Sequence, residues 1–149
     1  VFATIPAGKK IFVEVKCGPE IIPYLVKEIG KSKLKTEQVV LICFKQSVVK
    51  AFKKAMPSNK AYWLSSFKQN EEGVWEPSLE TVLATLKATK ADGLDSHKDI
   101  PGAAAKKIMK EGYEWHAWTV NDVATAKKLK TLGIHSITTD RPKLIKSSL

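Results

Sequence analysis

Ile11-Phe12-Val13-Glu14-Val15-Lys16 reads as a β-strand that ends on two charges. Side chains alternate across a strand, so Ile11, Val13 and Val15 occupy one face while Phe12, Glu14 and Lys16 occupy the other. A carboxylate and an ammonium at the end of an apolar strand are unfavourable to bury without a partner. In parallel α/β proteins, ligands bind at the C-terminal ends of the strands. A Glu there can hold a hard cation, and a Lys two residues on can meet a phosphate. The same residues can also be a buried Glu–Lys pair closing a strand end. The run by itself leaves both readings open.

Beyond this strand the chain alternates. Ile21, Ile22, Leu25, Val26 and Ile29 make a helical stripe. Val39-Val40-Leu41-Ile42-Cys43-Phe44 is wholly apolar, as a strand buried on both faces of a parallel sheet must be. A helix follows with Ser47 as its expected N-cap and Val48, Phe52 and Met56 as its stripe, ended by Pro57. Ala61-Tyr62-Trp63-Leu64 is the next strand. Ser78 caps a helix carrying Leu79, Val82, Leu83 and Leu86, and Gly93-Leu94-Asp95-Ser96 is a short strand. Pro101 opens a helix that stops at Gly112, the usual C-terminal signal. Trp115-His116-Ala117-Trp118 is a strand. Asn121 is the expected cap of a helix with Val123, Ala126, Leu129 and Leu132, stopped by Gly133; Ser136-Ile137-Thr138-Thr139 is the last strand. The long connection from Ser65 to Pro77, with Phe67, Glu71-Glu72 and Trp75, follows a strand on the ligand side, where long loops often cover sites; of that and an ordinary mobile loop, the mobile loop is the expectation.

Six strands alternating with helices imply a parallel sheet with right-handed crossovers. No G-x-G-x-x-G or P-loop motif occurs, which disfavours a dinucleotide-binding fold. An eight-fold barrel needs about 250 residues, so 149 residues fall short by roughly two βα units. The opening Val1-Phe2-Ala3-Thr4-Ile5 reads as the last turn of an amphipathic helix, with no initiator Met. Together these predict the last six units of a barrel, in one domain over residues 1–149, with sequence expected upstream.

Composition narrows the function classes. The chain is 44% hydrophobic, enough for one core. It has no run of about 18 apolar residues, so no membrane-spanning helix is expected, and no signal-peptide pattern opens it. Two cysteines, Cys17 and Cys43, are too few for a disulfide scaffold and lack zinc-ligand spacing; buried thiols are expected. The compartment is undetermined. The net charge of +10 suggests a nucleic-acid partner, but Arg141 is the one Arg among 25 basic residues. Readers of base edges rely on Arg, and lysines spaced as Lys50, Lys53 and Lys54, or Lys106, Lys107 and Lys110, are solvated helix faces. No nucleic-acid partner is expected. The basic field suits an anionic substrate or a membrane surface.

Three motifs now make the chain resemble the C-terminal part of a glycerophosphodiester phosphodiesterase domain, a TIM-type (βα) barrel of the phospholipase-C-like kind. Phe12-Val13-Glu14-Val15-Lys16 is similar to the family's E-x-K at the end of the third barrel strand. Trp118-Thr119-Val120-Asn121 is similar to its W-T-V-N after the seventh. Gly133-Ile134 followed by Ile137-Thr138-Thr139-Asp140-Arg141-Pro142 is similar to its closing segment, and Ala91-Asp92-Gly93-Leu94 fits its sixth strand. The resemblance covers essentially the whole chain, with the last six βα units present and the first two missing.

The resemblance implies a metal-dependent phosphoric diester hydrolase of lipid and glycerol metabolism, cleaving small-molecule glycerophosphodiesters to an alcohol and glycerol phosphate. It implies that Glu14 is a ligand to a divalent cation, Mg²⁺ or Ca²⁺. Lys16 lies beside the phosphate and stabilises its charge, and Trp118 stands at the mouth of the substrate site. The family's H-R-G segment, E-x-D metal pair and second His lie on the first two barrel strands, which this chain lacks. They are expected upstream or on a separate chain, and the 149 residues alone are expected to be inactive. His116 shares the Trp118 face and is expected to be a hydrogen-bonded core residue; His97 follows a strand on the ligand side, which leaves a contact to substrate open with no residue pattern to support it. The alternative is a non-hydrolytic barrel relative acting as a binding or structural module. An unrelated six-unit α/β protein would instead close Glu14 and Lys16 into a salt bridge with no cavity beside them.

Overall fold

The Ile11–Lys16 run forms the first strand of a parallel sheet, as its alternation requires. The computed structural model describes all 149 residues, Val1–Leu149. They fall into two compact units, Val1–Leu64 with Thr85–Asp92, and Ser65–Ala84 with Gly93–Leu149.

In the first unit, a single 3-10 turn at Phe2–Thr4 leads to β1 (Ile11–Glu14). Next come α1 (Ile22–Lys31), β2 (Val39–Cys43), α2 (Gln46–Ala55) and β3 (Ala61–Ser65). β1 pairs parallel with β2, Glu14 opposite Ile42, and β2 pairs parallel with β3. Val39, Val40, Leu41 and Cys43 are buried, as a strand covered on both faces must be. Ile22 and Ile29 of α1 and Val48, Val49 and Phe52 of α2 are buried as well. Fully burying each such side chain contributes about 1.5–3 kcal/mol. The expected cap at Ser47 is not formed. α2 starts two residues earlier, with extended Lys45 as N-cap, and Ser47 lies in the first turn. Lys45 is held there because its amide donates to Cys43 Sγ at 3.3 Å.

Asp92 ties the last turn of α2 to the start of β3. Its Oδ2 accepts from the Ala61 amide at 2.8 Å and from Lys53 Nζ at 2.9 Å. Lys53 Nζ also donates to the carbonyls of Pro57 and Asn59. The ammonium is thus buried with all three donors used, its side chain 8% exposed against 31% for Asp92. Asp92→Ala should lower the unfolding free energy by about 2–4 kcal/mol, because breaking a buried pair leaves its partner's charge uncompensated. Urea denaturation measures this; a midpoint unchanged from wild type would show that water already screens the pair.

In the second unit, β4 (Lys68–Gln69) and β5 (Trp75–Glu76) form an antiparallel hairpin. This corrects the expected plain loop from Ser65 to Pro77. Asn70 Oδ1 accepts from the amides of Glu72 and Val74, and Gly73 takes φ +77° at the turn. Phe67, the residue before β4, is buried. The sequence sign was the Asn-to-Gly spacing at the hairpin tip, a turn signature that the strand-and-helix pattern overshadowed. α3 (Leu79–Thr89) starts as expected, the Thr81 amide donating to Ser78 Oγ.

β6 (Gly93–His97), α4 (Gly102–Lys110), β7 (Glu114–Trp118), α5 (Val123–Thr131), β8 (Ser136–Ile137) and α6 (Pro142–Ser148) complete the unit. β6 and β7 are parallel, as are β7 and β8. A Cβ on Gly93 would lie 2.2 Å from the Glu114 carbonyl oxygen, so only glycine lets these strands approach. Trp115 is fully buried, its Nε1 donating to Ser96 Oγ at 3.0 Å. β8 is shorter than the expected Ser136–Thr139. The Thr138 amide still donates to the Ala117 carbonyl, but the chain then turns to receive the Val120 amide. The helix after β7 is capped by Asp122, whose Oδ1 accepts from the Thr125 amide at 2.7 Å, and not by Asn121. α6 lies past the last element read from the sequence; Pro142 opens it and Ile145 is its buried residue.

Candidate functional site

Glu14 is the last residue of β1, and Lys16 follows it past the end of the paired register. The Lys16 Nζ lies 3.6 Å from Glu14 Oε2, with side chains 81% and 37% exposed. This is an open pair at the C-terminal end of a strand, not the closed buried bridge that the other reading required. Ile11 and Val13 are half-buried and Val15 is buried, while Phe12 and Glu14 are exposed. The alternation therefore holds, and Phe12 packs its ring against Tyr62 at 6.0 Å between centroids.

The neighbouring strand end shapes the surroundings of this pair. Cys43 Sγ donates to the Val15 carbonyl at 2.9 Å, pinning the β1 end to β2. Burial pushes the Cys43 thiol up, so it stays a neutral donor. Cys17 is exposed, contrary to the expectation of two buried thiols, because it lies beyond the strand in the turn toward α1. In that turn Glu20 accepts from the Gly18 amide at 2.8 Å. Backbone amides, its own and that of Gly18, hold its carboxyl below the ordinary range, and Lys45 adds to the effect. Lys45 acts on Cys43 also, so a second ammonium stands at this strand end. The sequence reading passed over Lys45; its place directly after the apolar β2 run was the available signal.

Trp118 ends β7 in the second unit, paired in register with His97 at the end of β6. The two rings meet edge to face, 5.3 Å apart at 74°. Trp118 Nε1 donates to the Asp95 carbonyl at 3.1 Å, which fixes the indole. His97 Nδ1 lies 3.0 Å from Asp99 Oδ2. This His–Asp pair was not recognised in the sequence as a unit; only the strand register brings it beside Trp118. His116 is buried one layer below, its Nδ1 2.6 Å from Ser136 Oγ and its Nε2 3.4 Å from Glu114. It is the core histidine that alternation predicted.

Asn121 has a different task from the expected cap. Its Nδ2 donates to Asp140 Oδ2 at 2.8 Å, while its Oδ1 accepts from the Asp140 amide and the Thr139 hydroxyl. The loops after β7 and β8 are thereby joined next to Trp118. Asp122 then carries the cap, and the Thr125 amide holds its carboxyl below the ordinary range. A cavity of about 470 Å³ is bordered by Trp75, Lys98, Asp99, Lys128 and the apolar side chains between them.

The fit to a metal ion is partial at best. No group of three His, Cys, Asp or Glu side chains gathers anywhere in the chain. Glu14 offers one hard oxygen donor, whereas Mg²⁺ and Ca²⁺ take six or more oxygens. These residues by themselves do not make a metal centre. No helix is long and apolar enough to cross a membrane.

A family model described as the glycerophosphoryl diester phosphodiesterase family matches residues 12–144. No curated protein sequence matches. Among solved structures, an Oleispira antarctica phosphodiesterase in complex with the product sn-glycerol-3-phosphate has a TM-score of 0.78 at 20% identity, over 93% of this chain and 54% of that one. A glycerophosphodiester phosphodiesterase from Thermotoga maritima has a TM-score of 0.75 at 18% identity, over 98% of this chain and 60% of its own. One from Parabacteroides distasonis gives 0.72 at 22% identity, over 91% and 54%. At these identities the likeness shows the fold: six βα units of a TIM-type barrel. The chain spans about half the length of the solved structures it matches.

Proposed function

The chain belongs to the glycerophosphoryl diester phosphodiesterase family, and on that premise we propose that it is the C-terminal part of a barrel that hydrolyses small-molecule glycerophosphodiesters to an alcohol and glycerol phosphate. The observation that carries this reading is the open Glu14–Lys16 pair at the C-terminal end of β1. A carboxylate and an ammonium left in solvent at a strand end add little stability as an ion pair. They are well suited to a ligand that brings both a cation and an anion. Residues 1–149 form one barrel portion, completed by a segment outside them, upstream or on a separate chain.

The residues divide the work by chemistry. A phosphodiester is anionic and resists nucleophiles. The Lys16 ammonium meets a phosphoryl oxygen and gains strength as charge grows there in the transition state. Glu14 contributes one carboxylate to a divalent cation, Mg²⁺ or Ca²⁺, whose other oxygen ligands come from outside these residues. Such a cation, when bound, neutralises phosphoryl charge. For Trp118, whose indole is fixed by its bond to the Asp95 carbonyl, the family motif suggests an apolar contact to the substrate. Proton transfer at the attacking and leaving oxygens falls to groups outside this chain.

The test uses the full-length protein with glycerophosphocholine. Release of choline and glycerol phosphate is expected with Mg²⁺ or Ca²⁺, and its loss with a chelator should be reversed by adding either ion back. Binding of the diester without turnover, with or without a cation, would favour the non-hydrolytic relative.

A further inference from the structure

We propose that the end of the first unit at which β1, β2 and β3 begin, opposite the Glu14–Lys16 pair, is a docking face for a bilayer containing anionic phospholipids. Such docking is independent of the phosphodiesterase reading. Charge is divided unevenly along the chain. The first unit holds 14 lysines and 5 carboxylates, a net +9, while the second holds 11 basic and 10 acidic side chains, a net +1. Some of these lysines lie on solvated helix faces. Lys9, Lys10, Lys33, Lys35 and Lys90 do not: they stand in the turns that lead into strands, and Lys54 is in the last turn of α2. β1, β2 and β3 are parallel, so the turns before them lie at one end. The Ala61 amide, donating to Asp92 Oδ2 at 2.8 Å, brings the turn that carries Lys90 to the same end. All six side chains are exposed, and none is in an ion pair.

Buried polar side chains stitch these turns into one rigid surface. Gln38 Nε2 donates to the Lys9 carbonyl at 2.8 Å, joining the turn before β2 to the one before β1. Asn59 Nδ2 donates to the Thr36 carbonyl at 2.9 Å, joining the turn before β3 to the one before β2. Lys10 and Lys35, from two of these turns, border one cavity of about 190 Å³, with Glu37 beside them. The other carboxylates at this end are engaged, Glu28 by Lys31 and Asp92 by Lys53. Like charges held together this way repel one another and give the fold nothing, whereas an anionic surface turns them into attraction. A bilayer presents its anionic headgroups as a sheet without fixed spacing, which compact ammonium groups on flexible stems meet as point charges. A nucleic acid would call for Arg to read bases or rings on which to stack them, and residues 6–10, 32–38, 56–60 and 90–92 contain neither Arg nor an aromatic residue. Docking by this face leaves the Glu14–Lys16 pair, at the other end of β1, turned away from the bilayer and open to water-soluble ligands.

The experiment sediments the full-length protein with vesicles of phosphatidylcholine alone or with about one-third phosphatidylserine. Wild type should bind the anionic vesicles in about 0.1 M salt, leave the neutral ones unbound, and come off the anionic ones in about 0.5 M salt. Each lysine near an anionic surface strengthens binding about fivefold. Replacing four together, Lys9→Gln, Lys10→Gln, Lys33→Gln and Lys35→Gln, should therefore weaken partition by about 100-fold or more. A control of equal net charge replaces four exposed lysines elsewhere, Lys50→Gln, Lys68→Gln, Lys127→Gln and Lys143→Gln, and should lose less than about fivefold. All eight side chains are exposed, so both variants should keep the wild-type thermal midpoint within a few degrees. Equal losses in the two variants would assign binding to net charge and overturn the docking face. Failure of wild type to bind anionic vesicles, or equal binding to neutral ones, would overturn it too. A short DNA duplex that binds more tightly than the vesicles and is lost with Lys9, Lys10, Lys33 and Lys35 would give the face to a nucleic acid instead.

Discussion

Purified 149-residue chain is expected to leave glycerophosphocholine intact under conditions where the full-length protein turns it over. Two deficits combine. Glu14 supplies one oxygen donor, and no group of three metal-ligating side chains exists elsewhere in the chain. A hard cation held by one carboxylate is bound too weakly and too loosely to polarise a phosphoryl group. On the proposed reading the general acid and base also lie outside these residues, and such a group contributes about 10²–10⁴-fold. Continuous assay of the two proteins side by side, with Mg²⁺ or Ca²⁺, gives the comparison. Comparable turnover would mean that the chain holds its own acid and base, with His97 and His116 the first to test.

Glu14→Gln in the full-length protein should raise the cation concentration for half-maximal activity by about 10–100-fold or more. Glutamine keeps the shape and one carbonyl oxygen but removes the charge that a hard cation needs. It also removes the attraction now holding Lys16 Nζ at 3.6 Å, so the ammonium should swing away when no substrate is bound. Direct titration of Mg²⁺ and Ca²⁺ by calorimetry separates the two effects, since loss of Lys16 positioning would leave metal affinity unchanged. The fold should not suffer, because Glu14 is exposed and an exposed pair is worth about 1 kcal/mol or less. An unaltered cation requirement would remove Glu14 from the metal's coordination and leave it as a holder of Lys16.

Much of this could be read along the chain, for a definite physical reason. Period-two and period-3.6 burial is imposed on each element separately, so Val39–Cys43 and the Val48–Phe52 stripe declare their structure without knowledge of their neighbours. The open placement of Glu14 and Lys16 follows from the same alternation. Glycine stops and the Ser78 cap are likewise local, since each concerns one turn of backbone. Errors arose where two local solutions compete. Lys45 displaced Ser47 because an amide–thiol contact to Cys43 held it in the extended form that a cap requires. Asp122 displaced Asn121 because Asn121 was already engaged by Thr139 and Asp140, 18 and 19 residues away.

What only the tertiary structure decided are relations between distant residues. Asp92 and Lys53 are 39 positions apart, and their buried pair has no signature in either segment. His97 and Trp118 are joined by strand register, and Asp99 enters through the turn that follows β6. The hairpin at Lys68–Glu76 depends on two strands too short to show a period. Amino-acid sequence by itself determined the six βα units and the charged strand end, because each is enforced by burial within a single element. Which side chains meet across elements was settled by packing, because register and loop closure are properties of the folded whole.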